Sequence, residues 1–149
     1  MTELDDIYAP ELLQIAANIT HTQRLDNPDI TAQAQSKLCG SNIEIDINIR
    51  NGRIVAFGQT VTACLLGQSA AAIMAKTIIG KDITEIEDVS KKMHAMLKGQ
   101  GATPKGGWEE LGLLEGVREF KARHASTLLI FSALEKAFAT YKADKKVVS

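Results

Sequence analysis

Apolar positions along this chain switch between a helical and a strand period, and the switches divide it into elements. Leu4, Ile7, Tyr8, Leu12, Ile15 and Ile19 recur about every three or four residues. Pro10 interrupts that run and is best accommodated in a first turn, so the spacing predicts a helix beginning near it. Residues 20 to 33 are polar, contain Pro28 and read as a loop. Ile43, Ile45, Ile47 and Ile49 then alternate with Glu44, Asp46, Asn48 and Arg50, the period of a strand with one buried face. Asn51-Gly52 follows, a pair suited to a type I′ hairpin turn, and Arg53 to Thr62 is the return strand. Across that turn Ile54 faces Ile49. Simple alternation sends Val55 and Phe57 to the opposite face, where no segment of the sequence is marked as their cover. A weaker strand around Ala32 to Leu38 completes a small antiparallel sheet.

From Ala63 the period becomes helical. Ala63 to Ile79 is rich in Ala and Leu and stops at Gly80. Thr84-Glu85-Ile86-Glu87 reads as a capping box opening a helix that runs to about Lys98. Gly99 to Gly107 is a glycine-rich loop, and Leu111 to Val117 forms one or two short turns. Leu128, Phe131, Leu134 and Phe138 mark a last long helix from Arg123 to Tyr141. The expected fold is α+β: an N-terminal helix, a three-stranded antiparallel sheet, then several helices packed on one sheet face.

Composition narrows the function classes. At 149 residues and 45% hydrophobic content the chain suits one domain over 1–149, with no need of disulfide staples. A formal charge of -1 offers no basic face for nucleic acid, and Lys142, Lys145 and Lys146 read as a solvated tail. The acidic start, Met1 to Asp6, is no signal peptide, and no stretch reaches the ~18 consecutive apolar residues of a membrane span. A cytoplasmic protein with reduced thiols is expected.

Its two cysteines stand at element junctions. Cys39 lies between strands, in Leu38-Cys39-Gly40-Ser41, where glycine permits unusual backbone conformations. Cys64 stands at a helix start, where unpaired amides and the dipole favour thiolate, the form needed by a metal ligand or a sulfur nucleophile. It fits equally as a small apolar helix residue. His124 opens the last helix beside Arg123, whose charge disfavours the imidazolium; it reads either as a ligand or as a structural histidine. His21 and His94 fit surface or partly buried positions. No Cys-x-x-Cys, His-x-x-x-His or phosphate-loop pattern is present.

Taken in order, Leu38-Cys39-Gly40-Ser41, the isoleucine strand, Asn51-Gly52, Phe57-Gly58, Ala63-Cys64, Gln68-Ser69-Ala70-Ala71-Ala72, Gly80-Lys81, Gly116-Val117 and Arg123-His124-Ala125-Ser126 resemble the NifU-like, IscU-type iron–sulfur cluster scaffold family. The resemblance covers essentially the whole chain and implies the same helix–sheet–helices fold. It implies a nascent cluster or a zinc ion held by three cysteines and an aspartate, with a histidine beside the third cysteine. On that pattern Cys39 and Cys64 are the first two cysteines and His124 is the histidine. Ser41 stands in the aspartate's place and Ala125 in the third cysteine's, so two ligands are missing. The stretch from Phe57 to Cys64 is about two residues longer than usual. The chaperone-recruiting Leu-Pro-Pro-Val-Lys segment is absent, with Glu119-Phe120-Lys121-Ala122 near its position.

Three functions follow from the resemblance. The first is a non-enzymatic scaffold or carrier, monomer or homodimer, that binds a labile Fe–S cluster, expected as [2Fe-2S], through Cys39, Cys64 and His124, with Ser41 as a further metal ligand. Its partners would be a cysteine desulfurase and Fe–S acceptor proteins. The second is a zinc-bound sulfur acceptor working with the desulfurase, since zinc accepts two Cys, one His and an exchangeable ligand. The third is an interaction protein without cluster chemistry.

Overall fold

The structure is a computed structural model that describes residues 10–37, 40–99 and 101–148, with side chains described up to residue 143. Three antiparallel strands, β1 (Ile30–Ser36), β2 (Ser41–Arg50) and β3 (Arg53–Thr62), form a sheet in that order. Asn51 (φ 56) and Gly52 (φ 76) both take the left-handed backbone that a type I′ turn requires. Ile43, Ile45, Ile47 and Ile49 share one buried face, joined from β1 by Ile30 and Ala34.

Phe57 does not lie where alternation sends it. Ile54 pairs with Ile49, but Ala56 pairs with Asn48, so Val55 is the extra residue of a β-bulge. One inserted residue reverses the parity of the strand. Phe57 therefore pairs with Ile47 and is buried, while Val55 stays outward and 48% exposed.

The opposite face is covered at its centre by the chain between the first helix and β1. Asp46, fully buried there, accepts from Arg24 Nε (2.6 Å), Arg24 Nη2 (2.8 Å), Thr31 Oγ1 (2.6 Å) and the Leu25 amide (3.0 Å). Arg24 also pairs with Glu44. Gly58 lies opposite Asp46 on β3, and a Cβ there would sit 2.3 Å from the Gln23 carbonyl oxygen. The strap thus crosses the sheet in backbone contact.

Two carboxyls of this region make the fold acid-sensitive. The Arg24 hydrogen bonds hold Asp46 below the usual carboxylate range against the opposing effect of burial, helped by Thr31 and the Leu25 amide. The Ile49 amide does the same for Asp29 against its burial, helped by Arg50. Depressed folded values contribute stability that is complete above the unfolded value of about 4 and is lost as pH falls through the folded values. Denaturant melts should therefore show stability dropping below about pH 4, less steeply in Asp46→Asn. An acid limb unchanged by that substitution would rule out Asp46 as a source.

Helix α1 (Pro10–Ala17) packs on α2 (Leu65–Thr77), and the residues before Pro10 lie outside the described residues. Gln68 Nε2 and Ser69 Oγ donate to the Ala16 and Leu12 carbonyls across that contact. Helix α3 (Ile83–Lys98) opens before Thr84, so the expected capping box does not form. Asp82 takes the N-cap position, but its carboxylate is held by Arg53 (3.1 Å) and caps nothing. A 3₁₀ helix (Glu109–Glu119) and a 3₁₀ turn (Lys121–Arg123) lead to α4 (His124–Thr127) and α5 (Leu129–Val148). The expected continuous helix from Arg123 is broken at Leu128 (φ -88, ψ 4). The break lets α4 follow α2 while α5 runs along β1 and β2.

Phe131, Leu134 and Phe138 of α5 join Leu66, Ile73 and Met74 of α2 on the isoleucine face, in one apolar cluster. The fold is α+β with the helices on one sheet face, as expected. Among the described residues no helix is long and apolar enough to cross a membrane.

Candidate functional site

Register brings the chemistry to one end of the sheet. Because Asn42 pairs with Thr62, Ser41 at the start of β2 and Cys64 after β3 lie at the same end. Cys64 is the N-cap residue of α2, with extended backbone (φ -66, ψ 172), and is only partly buried. Helix α4 packs against α2 and carries His124 and Ser126 to the same region.

Ser126 is the hub. It is fully buried, and its Oγ lies 3.0 Å from Ser41 Oγ and 3.2 Å from Cys64 Sγ. A hydroxyl has one proton to give. With Cys64 as thiolate, the chain of bonds runs from Ser41 to Ser126 and from Ser126 to the sulfur. A Cβ on Gly67 would meet the Ser126 carbonyl oxygen at 2.8 Å, so the glycine is what allows α4 to come this close.

The Cys64 thiol sits below its ordinary value. Burial is the largest single influence and raises it. The Ser126 hydrogen bond, the Gly67 and Leu66 amides at the open helix end and the Arg123 charge together outweigh burial. Those amides close no side-chain cap hydrogen bond, so their influence is electrostatic. In a Cys39→Ala background, the pH midpoint of Cys64 alkylation should therefore rise on Ser126→Ala. An unmoved midpoint would remove Ser126 from thiolate stabilisation.

His124 is buried, and its Nε2 lies 3.0 Å from both the Val117 and the Arg118 carbonyl oxygens. Carbonyls only accept, so Nε2 carries a proton, and in the neutral ring the lone pair is then on Nδ1. Backbone carbonyls commonly orient liganding histidines in this way. The residue also lines a cavity of ≈ 570 Å³ with Leu97, Lys98, Arg118, Lys121 and Ala125.

Of the four residues singled out in the sequence, Ser41 and Cys64 converge on Ser126, and His124 shares its four-residue helix. Cys39 lies outside the described residues. Among the described residues no three His, Cys, Asp or Glu side chains gather closely enough to hold a metal ion. The roles of Ser126 and Arg123 escaped sequence reasoning. The available signal was Gly67, a glycine inside an Ala- and Leu-rich helix, which points to a close neighbour.

No family model matches the chain. The iron–sulfur cluster assembly scaffold protein IscU of Thermotoga maritima is 21% identical over 131 residues, 88% of this chain and 92% of that protein. Among solved structures, the N-terminal part of a nitrogen-fixing NifU-like protein from Brucella abortus superposes with a TM-score of 0.92 at 37% identity, covering 94% of this chain and 97% of that one. A putative scaffold protein for the SUF system from Fervidobacterium islandicum AW-1 superposes with a TM-score of 0.83 over 91% and 98% of the two chains; at 18% identity it attests the fold.

Proposed function

The chain belongs to the NifU-like, IscU-type family of iron–sulfur cluster assembly scaffolds, and from that premise we propose that it carries a labile Fe–S cluster on Cys39, Cys64 and His124. The cluster is cargo, built and passed on, and the role is not enzymatic. The observation that carries the reading is the Ser41–Ser126–Cys64 chain, which helps to lower the pKa of a partly exposed thiol at a helix start. Thiolates suit iron–sulfur clusters best. Cys39 stands two residues before Ser41 in the sequence.

Ser41 donates to Ser126 in this reading and acts through Cys64 rather than as a ligand itself. Two thiolates and one imidazole form an incomplete shell, which favours release to Fe–S acceptor proteins over permanent retention. A cysteine desulfurase would supply the sulfur. Sharing a site across a homodimer would bring four thiolates together.

Anaerobic reconstitution with iron and sulfide, followed by metal analysis and absorption spectra, tests the proposal. The expected result is a labile chromophore in the parent protein that Cys39→Ala and Cys64→Ala each abolish. Zinc as purified with no cluster uptake would replace cluster carriage by sulfur acceptance from the desulfurase. Neither metal, with desulfurase binding intact in both variants, would leave an interaction protein.

A further inference from the structure

The cavity beside His124 has a composition that the cluster ligands do not explain. Lys98, Arg118 and Lys121 line it, Leu97 adds an apolar surface, and none of the lining residues is acidic. Ion pairs among the described residues involve neither Lys98 nor Lys121. Arg118 is fixed in place: its Nε donates to the Met96 carbonyl at 2.7 Å and its Nη2 to the Gly101 carbonyl at 3.3 Å. Its remaining nitrogen is 3.9 Å from Glu115, too far for a hydrogen bond. Three cations around one concavity, two of them without an ion-pair partner among the described residues, favour an anionic occupant.

Ala125 gives that occupant a second task. It is exposed and lines the same cavity, next to His124. A molecule seated against its Cβ occupies the space that a cysteine side chain at this position would fill. We propose that the cavity takes a small thiol bearing carboxylates, its charged groups on Lys98, Lys121 and Arg118 and its sulfur beside Ala125. That sulfur, having released its proton to solvent, supplies the ligand that the chain itself lacks. The inference rests on the cluster-carrying reading, and a cavity of ≈ 570 Å³ accommodates a molecule of tripeptide size.

Glutathione serves as the probe, with 2-mercaptoethanol as an uncharged thiol and S-methylglutathione as a charged analogue without a free thiol. Reconstitution with iron and sulfide should leave several-fold more bound chromophore after gel filtration with glutathione than with equal 2-mercaptoethanol. Lys98→Glu combined with Lys121→Glu should abolish that advantage. Ala125→Cys should also abolish it, by making the uncharged thiol sufficient. Calorimetric titration of S-methylglutathione into the cluster-free protein should show binding that the double lysine variant weakens about tenfold, the effect of two partly exposed charge pairs. Equal chromophore with both thiols, or an advantage that survives the lysine changes, overturns the proposal. Absence of chromophore under every thiol overturns cluster carriage instead, and the calorimetric titration then decides the cavity alone: no heat of binding overturns anion capture.

Discussion

Cys64→Ala should give a protein that folds normally and retains no cluster. The side chain is small and partly exposed, and Ser126 keeps its bond to Ser41 when the sulfur is gone, so thermal melts should move little. The functional effect is large because the lost group is one of two thiolates. Changes in the outer shell of a metal site typically cost about 10–100-fold in affinity, and removing a ligand should exceed that, leaving chromophore at background. Cys64→Ser separates charge from geometry. It keeps a hydroxyl at the helix start but no thiolate, and should fail nearly as completely. Chromophore retained by either variant at the parent level would exclude Cys64 from the ligand set and move the cluster elsewhere.

Gly58→Ala should be the most destabilising single-methyl change in the sheet. The new Cβ would stand 2.3 Å from the Gln23 carbonyl oxygen and 3.4 Å from the Leu25 amide nitrogen, both backbone atoms with no rotamer to change. Either β3 or the strap must move. Moving the strap pulls Arg24 and the Leu25 amide from the buried Asp46 carboxylate. Overpacking together with the damaged network is expected to cost about 3 kcal/mol, lowering the melting temperature by about 6–12 °C. Gly58→Ala and Asp46→Ala should be strongly non-additive, because the first already loosens what the second removes. Melting within about 1 °C of the parent would show that the strap is not anchored at Gly58.

Much of the sheet was legible because its signals are local. Alternating isoleucines fix a face, and Asn51-Gly52 fixes a turn, within a dozen residues. The bulge was not legible, since Val55 and Phe57 suit either face of a strand and only pairing with Asn48 and Ile49 decides between them. The break at Leu128 was hidden because the apolar spacing of Leu128, Phe131, Leu134 and Phe138 runs on across it. Asp82 is a good capping residue by type, and only the distant Arg53 shows why it does not cap. Cys64 was legible as a candidate from its place at a helix start. Ser126 was not, because a serine two residues after a histidine says nothing until the fold sets it against residues 62 and 85 positions away.

The helix that covers much of the isoleucine face begins at Leu129, whereas the last strand ends at Thr62. During synthesis the ribosome therefore delivers a complete, strongly apolar sheet surface well before its cover, with α2 alone available to shield it. Lys136 of α5 finally donates to the Gln33 carbonyl of β1, closing a loop of more than a hundred residues. Until that closure the nascent chain presents unpaired strand edges and bare isoleucine, the state in which chains associate wrongly and in which holding chaperones are most useful. A row of four isoleucines that fixes the native fold thus also sets the interval in which this chain is most at risk of aggregation.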